Sequence, residues 1–155
     1  MIARPYAKVS AVALLVVACA GAGCDEKLSD LVGPSSPNLQ PTFASIKTEI
    51  FQTTDLLGRT ACITCHTDQG RNPATVGNLN LRADPYAALV NVPSREKPQL
   101  MRVKPGDPDN SYLIHKLEGG PNILFARMPQ NGPPFLTPEQ ILVIRRWIQI
   151  GAPNN

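Results

Sequence analysis

Apolar positions recur along this chain in short helical periods separated by polar, proline-rich stretches. Phe43, Ile46, Ile50 and Phe51 stand at i, i+3, i+7 and i+8, one stripe that predicts a core-facing helix. Thr42, just after Pro41, is its expected N-cap, and the pattern runs to about residue 53. Asp84-Pro85 opens a shorter helix through Leu89, with the aspartate capping and the proline at the first helical position, where a missing N–H costs nothing. A third helix is expected from 109 to about 118, begun by Asp109-Asn110-Ser111, with Tyr112, Leu113 and Leu117 as its apolar face and Gly119-Gly120-Pro121 as its stop. The last pattern is the clearest. Thr137 caps, Pro138 takes the first helical position and Gln140 completes a capping box. Ile141, Ile144 and Ile148 form one row and Val143, Trp147 and Ile150 another, Arg145, Arg146 and Gln149 face water, and Gly151 ends the helix. The fold class these elements predict is all-α, with long loops between helices.

The connecting stretches divide the chain. Residues 1–23 have the layout of a secretory signal, with Arg4 and Lys8 ahead of an apolar run from Val9 to Ala18 that is too short to span a bilayer. The small residues ending at Cys24 resemble the lipobox of bacterial lipoproteins, in which the cysteine becomes the lipidated first residue; Cys19 also fits that pattern. Cys24 is preferred because the polar run Asp25-Glu26-Lys27 starts directly behind it. Residues 24–41 carry Gly33-Pro34-Ser35-Ser36-Pro37-Asn38, turn and linker chemistry that reads as a tether, leaving 42–155 as the single domain that a 155-residue chain has room for. Residues 67–73 and 77–81 read as loop around short extended pieces, and residues 91–108 as an irregular segment. Setting aside Arg4 and Lys8, the 15 basic residues fall to 13 against 12 acidic, a near-neutral balance that makes nucleic acid a poor partner.

The chemistry concentrates in Cys62-Ile63-Thr64-Cys65-His66, a C-x-x-C-H run. Two thiols on one tight turn can add across neighbouring vinyl groups of a porphyrin while the adjacent imidazole lies beneath the iron, so the run is the pattern of covalent c-type haem attachment, with Cys62 and Cys65 as thioethers and His66 as proximal ligand. A structural zinc site needs more cysteines or histidines than the domain holds. A thioredoxin-like dithiol needs a preceding hydrophobic strand, whereas Asp55-Leu56-Leu57-Gly58-Arg59-Thr60 reads as a polar connection.

A six-coordinate haem needs a second axial ligand, chosen among Met128, His115 and Met101. Met128 stands in Arg127-Met128-Pro129-Gln130-Asn131-Gly132-Pro133-Pro134, a stiff loop with no helical face for a methionine to join, so its thioether suits iron better than packing. His115 reads as an exposed helical histidine, and Met101 sits in the basic stretch with Arg95, Lys97, Arg102 and Lys104. Those four cations read as solvated surface, with a docking patch for an acidic partner or contacts to haem propionates as the sharper alternative.

Together C-I-T-C-H, the R-M-P loop, T-P-E-Q and the ending Trp147-Ile148-Gln149-Ile150-Gly151-Ala152 resemble a bacterial single-haem cytochrome c domain over about residues 42–153. Val103-Lys104-Pro105-Gly106-Asp107-Pro108 with Ser111-Tyr112-Leu113 is similar to the segment such domains carry before the methionine loop, although residues 91–108 are longer than in the shortest cytochromes. The resemblance implies a bundle of three to five helices around one covalent haem c, first and last helices crossing, His66 proximal and Met128 distal. It also implies export, since bacteria attach haem c outside the cytoplasm. The expected function is electron transfer between redox partner proteins of the periplasm or envelope, with membrane attachment through the lipid on Cys24. The chain shows no nucleophile elbow, P-loop, dinucleotide motif or zinc-protease motif. The alternatives are a haem enzyme or gas sensor with an open or displaceable sixth position, and a lipid-anchored structural module that uses the cysteine pair without redox chemistry.

Overall fold

The computed structural model describes residue 36, residues 38–67 and residues 77–155. The leader, Cys19, Cys24, most of the tether and the 68–73 part of the loop lie outside the described residues. Among the described residues the elements are helical, joined by long loops with isolated backbone bridges in place of strands, which makes the domain all-α. No helix among them is long and apolar enough to cross a membrane.

The first helix, α1, begins at Phe43–Ile46 with the Thr42 hydroxyl accepting from the Ser45 N–H at 3.2 Å. It continues as π-helix over Lys47–Gln52. Its predicted stripe is buried throughout, Ile46 and Ile50 completely. Helix α2 spans Pro85–Leu89, where the Asp84 carboxylate accepts from the Ala87 N–H at 3.0 Å. A 3-10 turn at Pro108–Asn110 leads into α3, Tyr112–Glu118, which ends where Gly119 takes φ +82°, a conformation that only glycine enters freely. Helix α4, Pro138–Gln149, carries the full capping box.

The core is built where α1 meets α4. Phe43 stands 5.6 Å from the Trp147 ring and edge-on to Tyr86 at 5.1 Å, and Ile46 and Ile50 join Val143, Ile144 and Ile148 in one buried cluster. Residues 90–111 fold back on themselves through single bridges, Val90 with Val103 and Met101 with both Pro93 and Ser111. Gly106 then ties this segment to α4 by donating to the Ile148 carbonyl at 2.8 Å.

Three details depart from the expected pattern. Leu39 is fully buried and the Ser36 hydroxyl accepts from buried Gln140 at 2.8 Å, so packing reaches back into the stretch read as tether. In α3 it is Ile114 and Lys116 that are buried beside Tyr112 and Leu117, while Leu113 is half-buried. Ile150, expected on the Trp147 row, is 50% exposed, because the chain has already left α4 there and turns at Gly151.

Candidate functional site

The C-x-x-C-H run forms a single tight coil. Cys62–Thr64 is a 3-10 turn, in which the Cys65 N–H donates to the Cys62 carbonyl at 3.2 Å and the His66 N–H to the same carbonyl at 2.9 Å. On such a turn i, i+3 and i+4 are neighbours. The side chains of Cys62, Cys65 and His66 accordingly line one cavity, and the Leu81 N–H closes the far end of the coil by donating to the His66 carbonyl at 2.9 Å.

The coil is held in place by a side chain that the sequence did not single out. Arg59 is completely buried and ion-paired to Asp55 at 3.2 Å. Its guanidinium donates to the carbonyls of Glu49, Ile50, Thr53 and Thr60, each at 3.2 Å. Three of these belong to the C-terminal end of α1, where carbonyls lack helical partners and a cation meets the negative end of the helix dipole. Cys62 Sγ lies 3.5 Å from the same Ile50 carbonyl that Arg59 holds. The Asp55-x-x-x-Arg59 spacing is the one trace of this clamp in the sequence.

The cavity measures about 310 Å³, at the lower end of the roughly 300–1,000 Å³ of ligand pockets. Its walls are mainly apolar, among them Ile50, Phe51, Leu81, Leu89, Leu117 and Leu136. Met128 also lines it, positioned by α3: its N–H donates to the Lys116 carbonyl at 2.8 Å, and Arg127 Nε donates to the Leu117 carbonyl at 2.7 Å. A β-carbon at Gly132 would lie 2.5 Å from the Phe135 ring, on which Arg127 stacks at 4.2 Å, so the loop closes tightly only with glycine there. The competing ligands lie elsewhere. Neither His115 nor Met101 lines the cavity, and His115 Nε2 is 2.7 Å from the Asp109 carbonyl oxygen.

One wall is polar. Glu96 accepts from Tyr112 Oη at 2.7 Å and from Lys116 Nζ at 3.0 Å, and Lys116 also donates to the Leu124 carbonyl at 2.8 Å. Sequence spacing gave no hint of this cluster, since Glu96 comes from the irregular segment and the other two from α3. The four cations read together as a patch are split: Arg95 and Arg102 line the cavity, Lys97 donates to the Asn122 carbonyl and Lys104 pairs with Asp107 at 2.8 Å. Arg102 holds the loop to α2 by donating to the carbonyls of Ala88 at 2.7 Å and Gly77 at 3.0 Å. Arg95 is exposed and has no hydrogen-bond partner among the described residues, which leaves it as the cation free for a ligand carboxylate or a partner.

The two thiols are unbridged. Burial pushes the Cys62 thiol up to about 11, against the pull of the nearby Arg59 charge. A redox dithiol needs the opposite, a thiolate stabilised near neutral pH. Among the described residues no three His, Cys, Asp or Glu side chains group closely enough to hold a bare metal ion. A haem fits the residues present: two thiols, an imidazole and a thioether converge on an apolar cavity with cations on one wall. No family model matches the chain, and neither curated proteins nor solved structures yield a match.

Proposed function

We propose that the protein is an exported electron carrier with one covalent haem c in a cytochrome c-like bundle. The observation that carries the reading is the lining of a single apolar cavity by Cys62, Cys65, His66 and Met128. Cys62 and Cys65 hold the haem as thioethers, His66 is the proximal ligand and Met128 the distal one. The haem supplies a one-electron iron couple. His66 and Met128 would supply both iron ligands from the chain itself, and the leucine, isoleucine and phenylalanine side chains of the lining would pack against the haem. Cys24, or Cys19 in its place, anchors the chain to a membrane of the envelope, where redox proteins are its partners.

The test is expression of the full-length chain with a haem-ligation system, read by mass and visible spectrum. One covalent haem and a low-spin six-coordinate spectrum are expected. Met128→Ala should abolish the long-wavelength ferric band that the cytochrome resemblance implies for thioether ligation, and Met128→His should lower the midpoint potential, because thioether ligation raises it relative to bis-imidazole. Retention of that band in Met128→Ala would reject Met128 as ligand.

A further inference from the structure

The segment carrying Met128 is suspended between two walls of the cavity. On one side α3 fixes it as far as Met128 itself, through the Lys116 and Leu117 carbonyls. On the other side Asn131 Nδ2 donates to Thr60 Oγ1 at 2.7 Å, joining the methionine loop to the chain two residues before Cys62. Thr60 and Asn131 both line the cavity, so their bond lies across its lip.

Neither end of that bond is loose. The Thr60 carbonyl accepts from Arg59 Nη1 at 3.2 Å, and Arg59 is buried and ion-paired to Asp55. On the loop side the Gly132 N–H donates to the Pro129 carbonyl at 3.0 Å, closing a turn around Asn131. Between flexible surface side chains such a bond would contribute little, since ordering them costs what the contact gains. With the backbone held on both sides, only the Thr60 and Asn131 rotamers remain to be ordered, and the bond restrains the loop.

We propose that the Thr60–Asn131 hydrogen bond is a latch that holds the Met128 loop closed over the cavity and sets how readily the thioether leaves the sixth iron position. The inference rests on the His66/Met128 haem reading. Thr60 and Asn131 are positioning residues that act through the loop.

Carbon monoxide added to the reduced, haem-loaded, full-length protein reads the latch directly, because the iron–thioether bond must break before the iron–carbon bond forms and no electron is exchanged. The wild type should combine slowly. Thr60→Val keeps the side-chain shape and removes the acceptor, and it should speed CO binding about tenfold, equivalent to about 1.4 kcal/mol. Asn131→Ala, on the opposite and exposed side, should do the same, and the double variant should be no faster than either single one. Thr60→Ser retains the hydroxyl and should stay within about twofold of wild type. Amide exchange at Gly132 should quicken in parallel in the Val and Ala variants. Rates within about twofold of wild type in both single variants, or effects that multiply in the double, overturn the latch while leaving the haem reading intact. A wild type that takes up CO at once, or carries no covalent haem, overturns the haem reading and the latch with it.

Discussion

Tyr112 shows how one side chain ties cavity, loop and helix together. Its hydroxyl donates to Glu96 at 2.7 Å and accepts from the Leu124 N–H at 3.0 Å, while the ring is buried in α3. Burial disfavours the phenolate, the Leu124 N–H favours it, and the Glu96 carboxylate opposes it again; together they push the hydroxyl from 10.0 up to about 12. A proton held more tightly in the folded state than in the unfolded one makes stability fall as pH rises. The contribution is complete below about pH 10 and is lost progressively as pH climbs through about 12. The folded protein should therefore lose stability over that window, and Tyr112→Phe should flatten the loss. At neutral pH the same substitution should cost about 1–3 kcal/mol, because the Leu124 N–H loses its acceptor and Glu96 a donor. Denaturant midpoints measured against pH for the two proteins check both halves. An equal alkaline slope in the two would assign the loss to other groups.

At the scale of elements, what was legible in the sequence was what is local. Thr42, Asp84 and Thr137 cap the helices they were expected to cap, and the Pro85 and Pro138 starts and the Gly119 and Gly151 stops follow from chemistry within a few residues of each boundary. The C-x-x-C-H turn was legible for the same reason. Contacts between segments far apart in the chain were not. Nothing in the sequence marks Lys116 as a buried cation bonded to Glu96 and the Leu124 carbonyl, and Leu39 reads as linker although it joins the buried cluster that holds the α4 side chains. Arg59 is the clearest instance, a buried cation in what looked like a polar connection. Its removal leaves the Asp55 carboxylate, with 2% of its side chain exposed, without its countercharge and strips donors from the end of α1. Arg59→Ala should cost about 3–5 kcal/mol, as breaking one side of a buried ion pair does. Arg59→Lys should recover only part of that, since a single ammonium cannot reach four carbonyls and a carboxylate from one position. Chemical denaturation of the loaded protein gives both values, and a loss below about 1 kcal/mol for Arg59→Ala would mean that the clamp contributes little.

At the scale of the whole molecule, a core and a cavity share the apolar side chains. Apart from α4, Pro138–Gln149, the helices are short: α2 is Pro85–Leu89, α3 is Tyr112–Glu118 and α1 is one α-turn continued as π-helix. Helices of this length do not persist in water without tertiary packing. The packing they find is divided. One part is the α1–α4 core around Phe43 and Trp147; the other is the cavity wall, where Leu81, Leu89, Leu117 and Leu136 are buried yet face a space of about 310 Å³. A small domain that divides its apolar side chains in this way has little surplus stability. On the haem reading, a covalently held apolar body would fill this space and crosslink the coil at 62–66 to the rest of the core, in the way that small scaffolds generally need a staple. On the haem reading, the full-length Cys62→Ser/Cys65→Ser chain should therefore lack a native fold. Its near-ultraviolet circular dichroism should be weak and its calorimetric trace should show no cooperative transition, whereas the loaded wild type melts in one step. A sharp, native-like transition in the double serine variant would show that the α1–α4 core folds on its own and that the cavity is a preformed pocket awaiting its occupant.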